Sequence, residues 1–217
     1  MRRGLLAACS SELRTLIIAD QISNLIYIMV GKTSTVSSSF AAPASEMRGI
    51  TMAGPNLISC DETARMIYIH SGVAAAISNS FSSPSTNPAG LAFDGTNLIS
   101  SDVGSDLIYL HTGITSTVAS SFATPGSSCS CLAYDGINLM SGDENSDTIY
   151  IHSGKTSTIS TSFAAPGLAI SGLTYTRKDL ISADNTADRI YIHSGKTSTT
   201  TSNFASPSTG PCGLAMR

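Results

Sequence analysis

The chain has 217 residues, of which 41% are apolar and 12% charged, with a net charge of −3, no Trp, and 60 residues of Ser and Thr together. No apolar run reaches the roughly 18–20 residues of a membrane span, and no basic excess points to a nucleic-acid backbone as partner. Low charge with many β-branched residues is the opposite of the disordered composition.

Residues 1–12, "MRRGLLAACSSE", read as a leader ahead of a single domain over 13–217. Arg2-Arg3, the short apolar run and Cys9-Ser10-Ser11 resemble a bacterial lipoprotein processing site, although the run is short for a signal segment. The other reading is a start that truncates or extends a repeat. "GLLAA" at 4–8 looks like an innermost strand but sits four residues early in the repeat register.

From residue 13 onward the sequence repeats with a period of 41 and no insertion or deletion. Tyr27, Tyr68, Tyr109, Tyr150 and Tyr191 mark it; so do Phe40, Phe81, Phe122, Phe163 and Phe204. Asp20, Asp61, Asp102, Asp143 and Asp184 follow the same spacing. Within one period, "GLAFD" (90–94), "NLIS" (97–100), "LIYLH" (107–111) and "TSTVASSF" (115–122) predict four short strands separated by Gly, Asp and Pro signals. His-Ser-Gly-Lys at 152–155 suits a two-residue hairpin with Gly at positive φ. No helical period is sustained.

Four strands in about 40 residues is the spacing of a propeller blade. One such sheet cannot bury both faces alone; blades around an axis bury each other, and closure leaves only short edges. An open β-solenoid is the competing architecture, but its coils are shorter and lack the four-strand hairpin rhythm. The fold class is therefore all-β, a five-bladed β-propeller of 41-residue, four-stranded blades. The first full strand is "TLIIAD" (15–20), a second strand by register, and the chain ends on "GLAMR" (213–217), an innermost one. The C-terminal strand is expected to complete the first blade and close the ring.

Blade by blade, "CLAYDGINLMSGDENSDTIYIHSG" (131–154) and "GLTYTRKDLISADNTADRIYIHSG" (172–195) resemble the repeat of the NHL-repeat, YncE-like and SMP-30-like propellers in order and spacing. The resemblance spans the ring but is one of fold. It implies no catalytic residue, and the Asp/Asn/Glu metal ligands of the SMP-30-type lactonases have no matching set here. The low blade number is also similar to five-bladed lectins of the tachylectin type, by architecture alone.

Candidate chemistry is sparse. His70, His111, His152 and His193 share one repeat position, taken by Met29 in the first blade. Copies in different blades lie far beyond metal–ligand distances of about 2.0–2.1 Å, so the reading is a packed histidine at a hairpin end. Asp61, Asp102, Asp143 and Asp184, with Asp106, Asp147 and Asp188 four residues after the last three, bracket the turn between the second and third strands. They are the candidate binding residues of one mouth of the ring. Calcium, which takes six to eight oxygens, is the alternative at loops such as "DENSD" (143–147). The bland reading is an Asx-turn followed by a solvated loop charge. Cys9, Cys60, Cys129, Cys131 and Cys212 occupy five different registers and read as small thiols replacing Gly, Ser or Pro. "GKTS" at 31–34, 154–157 and 195–198 lacks the upstream Gly of a phosphate-binding loop and precedes a strand. Irregular residues such as Arg177-Lys178 and Glu46-Met47-Arg48 read as drift between duplicated copies.

Short, uniform loops argue against a catalytic site, so no cofactor is expected. The expected function is a non-catalytic binding or scaffolding propeller recognising a protein or a surface polymer. The alternatives are a multivalent carbohydrate-binding lectin, whose weak sites would gain by avidity, and a metal-dependent, lactonase-like hydrolase. A structural subunit is a further option. The weakly charged Ser/Thr surface suits an extracellular or surface-exposed protein.

Overall fold

Short apolar runs bounded by Asp, Gly and Pro become strands, and the repeat turns them into five near-copies of one sheet. A computed structural model describes residues 14–217, and all of its regular structure is strand. Blade 1 contains β1 (Leu16–Asp20), β2 (Leu25–Met29) and β3 (Val36–Ala41). Blade 2 is β4 (Met47–Ala53), β5 (Asn56–Asp61), β6 (Met66–His70) and β7 (Ile77–Ser82). Blade 3 is β8 (Pro88–Phe93), β9 (Leu98–Asp102), β10 (Leu107–His111) and β11 (Val118–Ala123). Blade 4 is β12 (Cys129–Tyr134), β13 (Leu139–Asp143), β14 (Thr148–His152) and β15 (Ile159–Ala164). Blade 5 is β16 (Ile170–Tyr175), β17 (Leu180–Asp184), β18 (Arg189–His193) and β19 (Thr200–Ala205). Blades 2 to 5 are antiparallel meanders in chain order, whereas β20 (Pro211–Met216) joins blade 1 in the order β20-β1-β2-β3. The molecule is a five-bladed β-propeller closed by its C-terminal strand. Residues 1–12, expected from sequence to be a leader, lie outside the described residues.

The seam is a complete antiparallel ladder, with Leu16 opposite Met216, Ile17 opposite Ala215 and Ile18 opposite Leu214. Thr15 and Arg217 exchange backbone hydrogen bonds of 3.1 and 3.0 Å where other blades have a hairpin turn. A non-covalent ladder therefore takes the place of a covalent turn at one blade only.

The core lies between blades. Ile18, Met29 and Leu214 of blade 1 pack with Ile181, Ile190 and Ile192 of blade 5, and four more clusters fill the remaining junctions. Every second strand except the first residue of β5 is buried along its whole length. A fully buried aliphatic side chain contributes about 1.5–3 kcal/mol, so each junction is a substantial share of the stability and opening one exposes two blade faces.

Innermost strands crowd around the axis, which restricts one column to Gly49, Gly90, Cys131, Gly172 and Gly213. A side chain at Gly49 would meet the carbonyl of Ala89, and one at Gly213 the carbonyl of Arg48. Cys131 fits because Gly142 lies opposite it; a Cβ on Gly142 would come within 2.5 Å of the Cys131 sulfur. Blade 2 reverses the exchange, with Gly49 donating its N–H to Cys60 Sγ at 3.3 Å. The four described cysteines are buried and free. Burial pushes the Cys60 and Cys129 thiols up to about 12.

The connection from third to outermost strand differs from the expected two-residue hairpin. In blade 4 it spans six residues, 153–158, closed by Ser153 N–H donating to the Thr158 carbonyl at 2.8 Å. The length is supported by the histidine, whose Nδ1 bonds the Thr156 carbonyl at 2.7 Å from inside the loop. Gly154 does adopt positive φ, at 71°. The outermost strands begin accordingly later than the Ser/Thr runs suggest. Their side chains are mostly exposed, with only the phenylalanine consistently turned inward.

Candidate functional site: the polar axial mouth

The four histidines belong to the blade interiors. Each is buried, with Nδ1 bonded to a loop carbonyl and Nε2 to the hydroxyl of Ser59, Ser100, Ser141 or Ser182 at 2.8–2.9 Å. A carbonyl can only accept, so Nδ1 carries the proton and the serine donates to Nε2. Burial lowers all four imidazoles from their ordinary value against the opposing loop hydrogen bond. The aromatic neighbour of each is the phenylalanine of the preceding blade, at 5.8–6.1 Å between ring centres. These serine–histidine pairs have no access to solvent and serve packing.

The aspartates at the second-to-third strand turns are buried as well. Asp61, Asp102, Asp143 and Asp184 each direct one oxygen to an N–H three residues on, at 2.5–2.8 Å. The other oxygen accepts the N–H of Glu46, Asn87, Ser128 or Ala169, just before the innermost strand, at 2.7–2.9 Å. Each carboxylate therefore ties two loops of one face together. Asp106, Asp147 and Asp188 sit at φ of 54, 48 and 52°, the left-handed conformation that Asn and Asp tolerate best. Asp147 and Asp188 each leave one oxygen buried without a partner among the described residues. Burial, then repulsion from Asp184 and Asp143, raises the Asp147 carboxyl. Among the described residues no group of three or more His, Cys, Asp or Glu is placed to hold a metal ion.

Inside this ring of turns the axial channel opens into a cavity of about 80 Å³, lined by residues including Arg48, Glu62, Asn87, Glu144, Asn185 and Cys212. The backbone here repeats five times, but two side-chain columns do not. One reads Arg48, Ala89, Ser130, Ser171, Cys212, and the other Gln21, Glu62, Val103, Glu144, Asn185. Ser130 and Ser171 donate to the innermost strand of the next blade, at 2.7 and 2.5 Å, and the Cys212 thiol does the same at 3.1 Å. Arg48 donates to Glu62 through Nε at 2.6 Å and to Gln21 Oε1 through Nη1 at 2.9 Å. Glu62 also accepts from Asn87 at 2.8 Å. Glu144 is half-buried, and among the described residues its carboxyl makes no hydrogen bond. Burial raises its pKa, opposed by the positive charge of Arg48. The mouth thus combines a neutralised arginine with an acceptor carboxylate ready for a donor from outside.

The opposite mouth has a rim of Met52, Phe93, Tyr134, Tyr175 and Met216, one from each blade, around about 130 Å³. Beside it Lys155 pairs with Asp94 of the preceding blade, and Lys196 with Asp135. Lys32 lies 3.9 Å from Asp179. Burial opposes ionisation of Asp94, but Lys155 and the amides of Asn97 and Thr96 prevail and hold it at about 2. Blades 2 and 3 use Ala53 and Ile114 at the equivalent positions.

Strand direction sorts the charges by face. The turns around the polar mouth, with the adjoining strand ends, carry eleven acidic side chains against Arg48, Arg65 and Arg189. The opposite face carries Asp94, Asp135 and Asp179 against Lys32, Lys155, Lys178, Lys196, Arg14, Arg177 and Arg217. Among the described residues the two faces are formally −8 and +4.

Read from sequence, Arg48 is drift, Cys212 a substituted thiol and Glu144 part of a calcium-type loop, and none of them, nor Glu62, stands out as lining the axis. Their signal was present: they interrupt two columns of a near-perfect repeat. What was missing was the knowledge that both columns converge at the axis.

No family model matches the chain, and no curated protein does. Solved structures do resemble it. Glutaminyl cyclase from Myxococcus xanthus superposes with a TM-score of 0.61 at 13% identity, covering 78% of this chain and 69% of that one. A chain of the mitotic checkpoint complex gives a TM-score of 0.54 at 16% identity, covering 86% of this chain and 59% of its own length. At these identities the likeness is one of fold. No helix among the described residues is long and apolar enough to cross a membrane.

Proposed function

We propose that the chain is a non-catalytic binding and scaffolding propeller. Its acidic face, centred on the polar axial mouth, recognises one positively charged protein segment or surface per ring. The observation that carries this reading is the segregation of eleven acidic side chains onto one face around a cavity lined by Glu144, whose carboxyl has no hydrogen bond among the described residues. Clustered charge of one sign steers oppositely charged partners and fixes their orientation. Side chains that differ from blade to blade make one site out of five similar backbones, which favours a single ligand over five equivalent ones. Short uniform turns and serine–histidine pairs sealed from solvent support a non-catalytic role. Blade grammar supports kinship with the NHL-repeat and YncE-like propellers, and the uncharged hydroxyl wall supports a surface-exposed setting.

A lysine-rich peptide titrated into the protein by calorimetry tests this. The expected result is one peptide per ring, weakening as salt rises and weakened by Glu144→Gln. A titration without heat or saturation at low ionic strength overturns the reading.

One observation favours the carbohydrate alternative. Phe93, Tyr134 and Tyr175 put aromatic rings around the opposite mouth, and sugars stack on such rings. Glycan binding lost in Tyr134→Ala, with peptide binding absent, would select that reading.

A further inference from the structure

Three features meet on the basic face. At the turn between first and second strands, blades 2, 3 and 4 place Gly54, Gly95 and Gly136 at φ of 59, 101 and 101°. Blade 5 has Arg177 at the same position, with φ of 72°. Left-handed backbone costs a residue with a side chain on the order of 1 kcal/mol relative to glycine, yet here the bulky residue stands exposed. Arg177 and Lys178 are both exposed, and neither joins an ion pair among the described residues. Beside them, on the equivalent turn of blade 4, Ile137 is 74% exposed.

The acidic face carries the complement. At its centre Glu144 has no hydrogen bond to its carboxyl among the described residues, Glu46 is exposed on the loop before β4, and Ile22 and Leu168 are 66% and 78% exposed. The three most exposed large apolar side chains among the described residues therefore stand on the two charged faces and none on the hydroxyl wall. Each face offers charge of one sign next to an aliphatic side chain. Both faces belong to one ring and have one diameter.

We infer that the partner of the acidic face is a second copy of this chain. The dibasic turn Arg177-Lys178 and Ile137 of one copy seat against the acidic mouth, Ile22 and Leu168 of the next. The contact is head to tail, so it uses a different face on each partner and leaves both end faces free. Such heterologous association does not close on itself unless its rotation completes a ring; it propagates as a stack. This inference rests on the recognition reading above, since it names the charged surface that the acidic face takes.

Sedimentation velocity on the full chain tests it at low and high ionic strength, where the screening length falls from about 30 Å at 0.01 M to about 3 Å at 1 M. The expected result is concentration-dependent association at low salt and monomers at high salt. Arg177→Gly with Lys178→Thr installs the turn of blade 3, relieves the backbone and keeps the fold. It weakens association on the order of tenfold or more. Glu144→Gln with Glu46→Gln does the same from the other face. Mixing the two variants leaves one intact interface per pair and yields dimers without longer species. Monomers of the natural chain at low salt and all concentrations, or association unchanged in the Arg177→Gly/Lys178→Thr variant, overturn the inference. That variant keeps its acidic mouth. If it still binds the lysine-rich peptide while the natural chain stays monomeric, self-association alone is refuted; if the peptide binds neither, the recognition reading falls with it.

Discussion

Blade 1 and the other four solve the same packing problem with different means. In blades 2 to 5 a buried histidine takes a hydroxyl hydrogen bond from the second strand. Blade 1 has Met29 in place of the histidine and Ile18 in place of the serine, both fully buried. The exchange is made as a pair, never singly. A buried polar atom without its partner costs about 1–3 kcal/mol, whereas replacing both partners by apolar groups is nearly neutral. The Lys155–Asp94 pair and its counterpart Ile114 over Ala53 follow the same rule. Blade 1 also differs in its innermost strand, which arrives from the far end of the chain.

The largest effect should come from breaking that seam. Deleting residues 211–217 removes β20, opens a full ladder and exposes core on two blades. Loss of a cooperative thermal transition is expected by circular dichroism. Melting within a few degrees of the full chain would show that four and three-quarter blades suffice.

Acid should separate the two kinds of blade next. The buried imidazoles have lowered pKa values in the fold, so below about 6.5 the unfolded chain binds protons that the folded chain does not. Stability therefore falls with pH from there, by up to about 1.4 kcal/mol per pH unit for each histidine. Asp94 acts lower down: held at about 2, it contributes above its ordinary value and loses that contribution as pH falls toward 2. Denaturant midpoints between pH 7 and 4 measure the slope, and His152→Met with Ser141→Ile should reduce it by about a quarter.

Single changes sharpen the pairing rule. Ser141→Ala leaves Nε2 of His152 without its donor and should cost about 1–3 kcal/mol. Adding His152→Met should recover part of that loss, as in blade 1. If the double variant is no better than the sum of the singles, the pair is not a unit.

The smallest effect concerns the latch between blades 3 and 4. Lys155→Ile alone should cost about 1 kcal/mol or less, and adding Asp94→Ala should restore the loss by copying Ile114 over Ala53. A double-mutant cycle on denaturant midpoints checks this.

Most of the fold was legible because a period of 41 repeats the same strand and turn chemistry five times. The composite blade was legible because the final strand is in register with the first blade. The length of the outer connection does not follow from His-Ser-Gly-Lys, since the histidine's bond back into its own loop is a tertiary feature. The aspartate turns were correctly located, but sequence shows only where an Asp lies. It does not show that Asp102 spends both oxygens on backbone N–H groups, or that Glu144 spends none. Cys131 reads from sequence as a small thiol in place of Gly, but that Gly142 across the ladder supplies the volume for it is visible only in the fold.

The sequence by itself determined the number of blades, the order of strands and the polar outer wall, because strand periodicity and turn residues are local and recur in every copy. Only the tertiary structure decided where the diverged residues meet. Arg48, Glu62 and Glu144 lie in different repeats or on different strands, and ring closure brings them to one axis. The sorting of charge between two faces is of the same kind: it follows from the direction in which each strand runs, which composition and net charge average away.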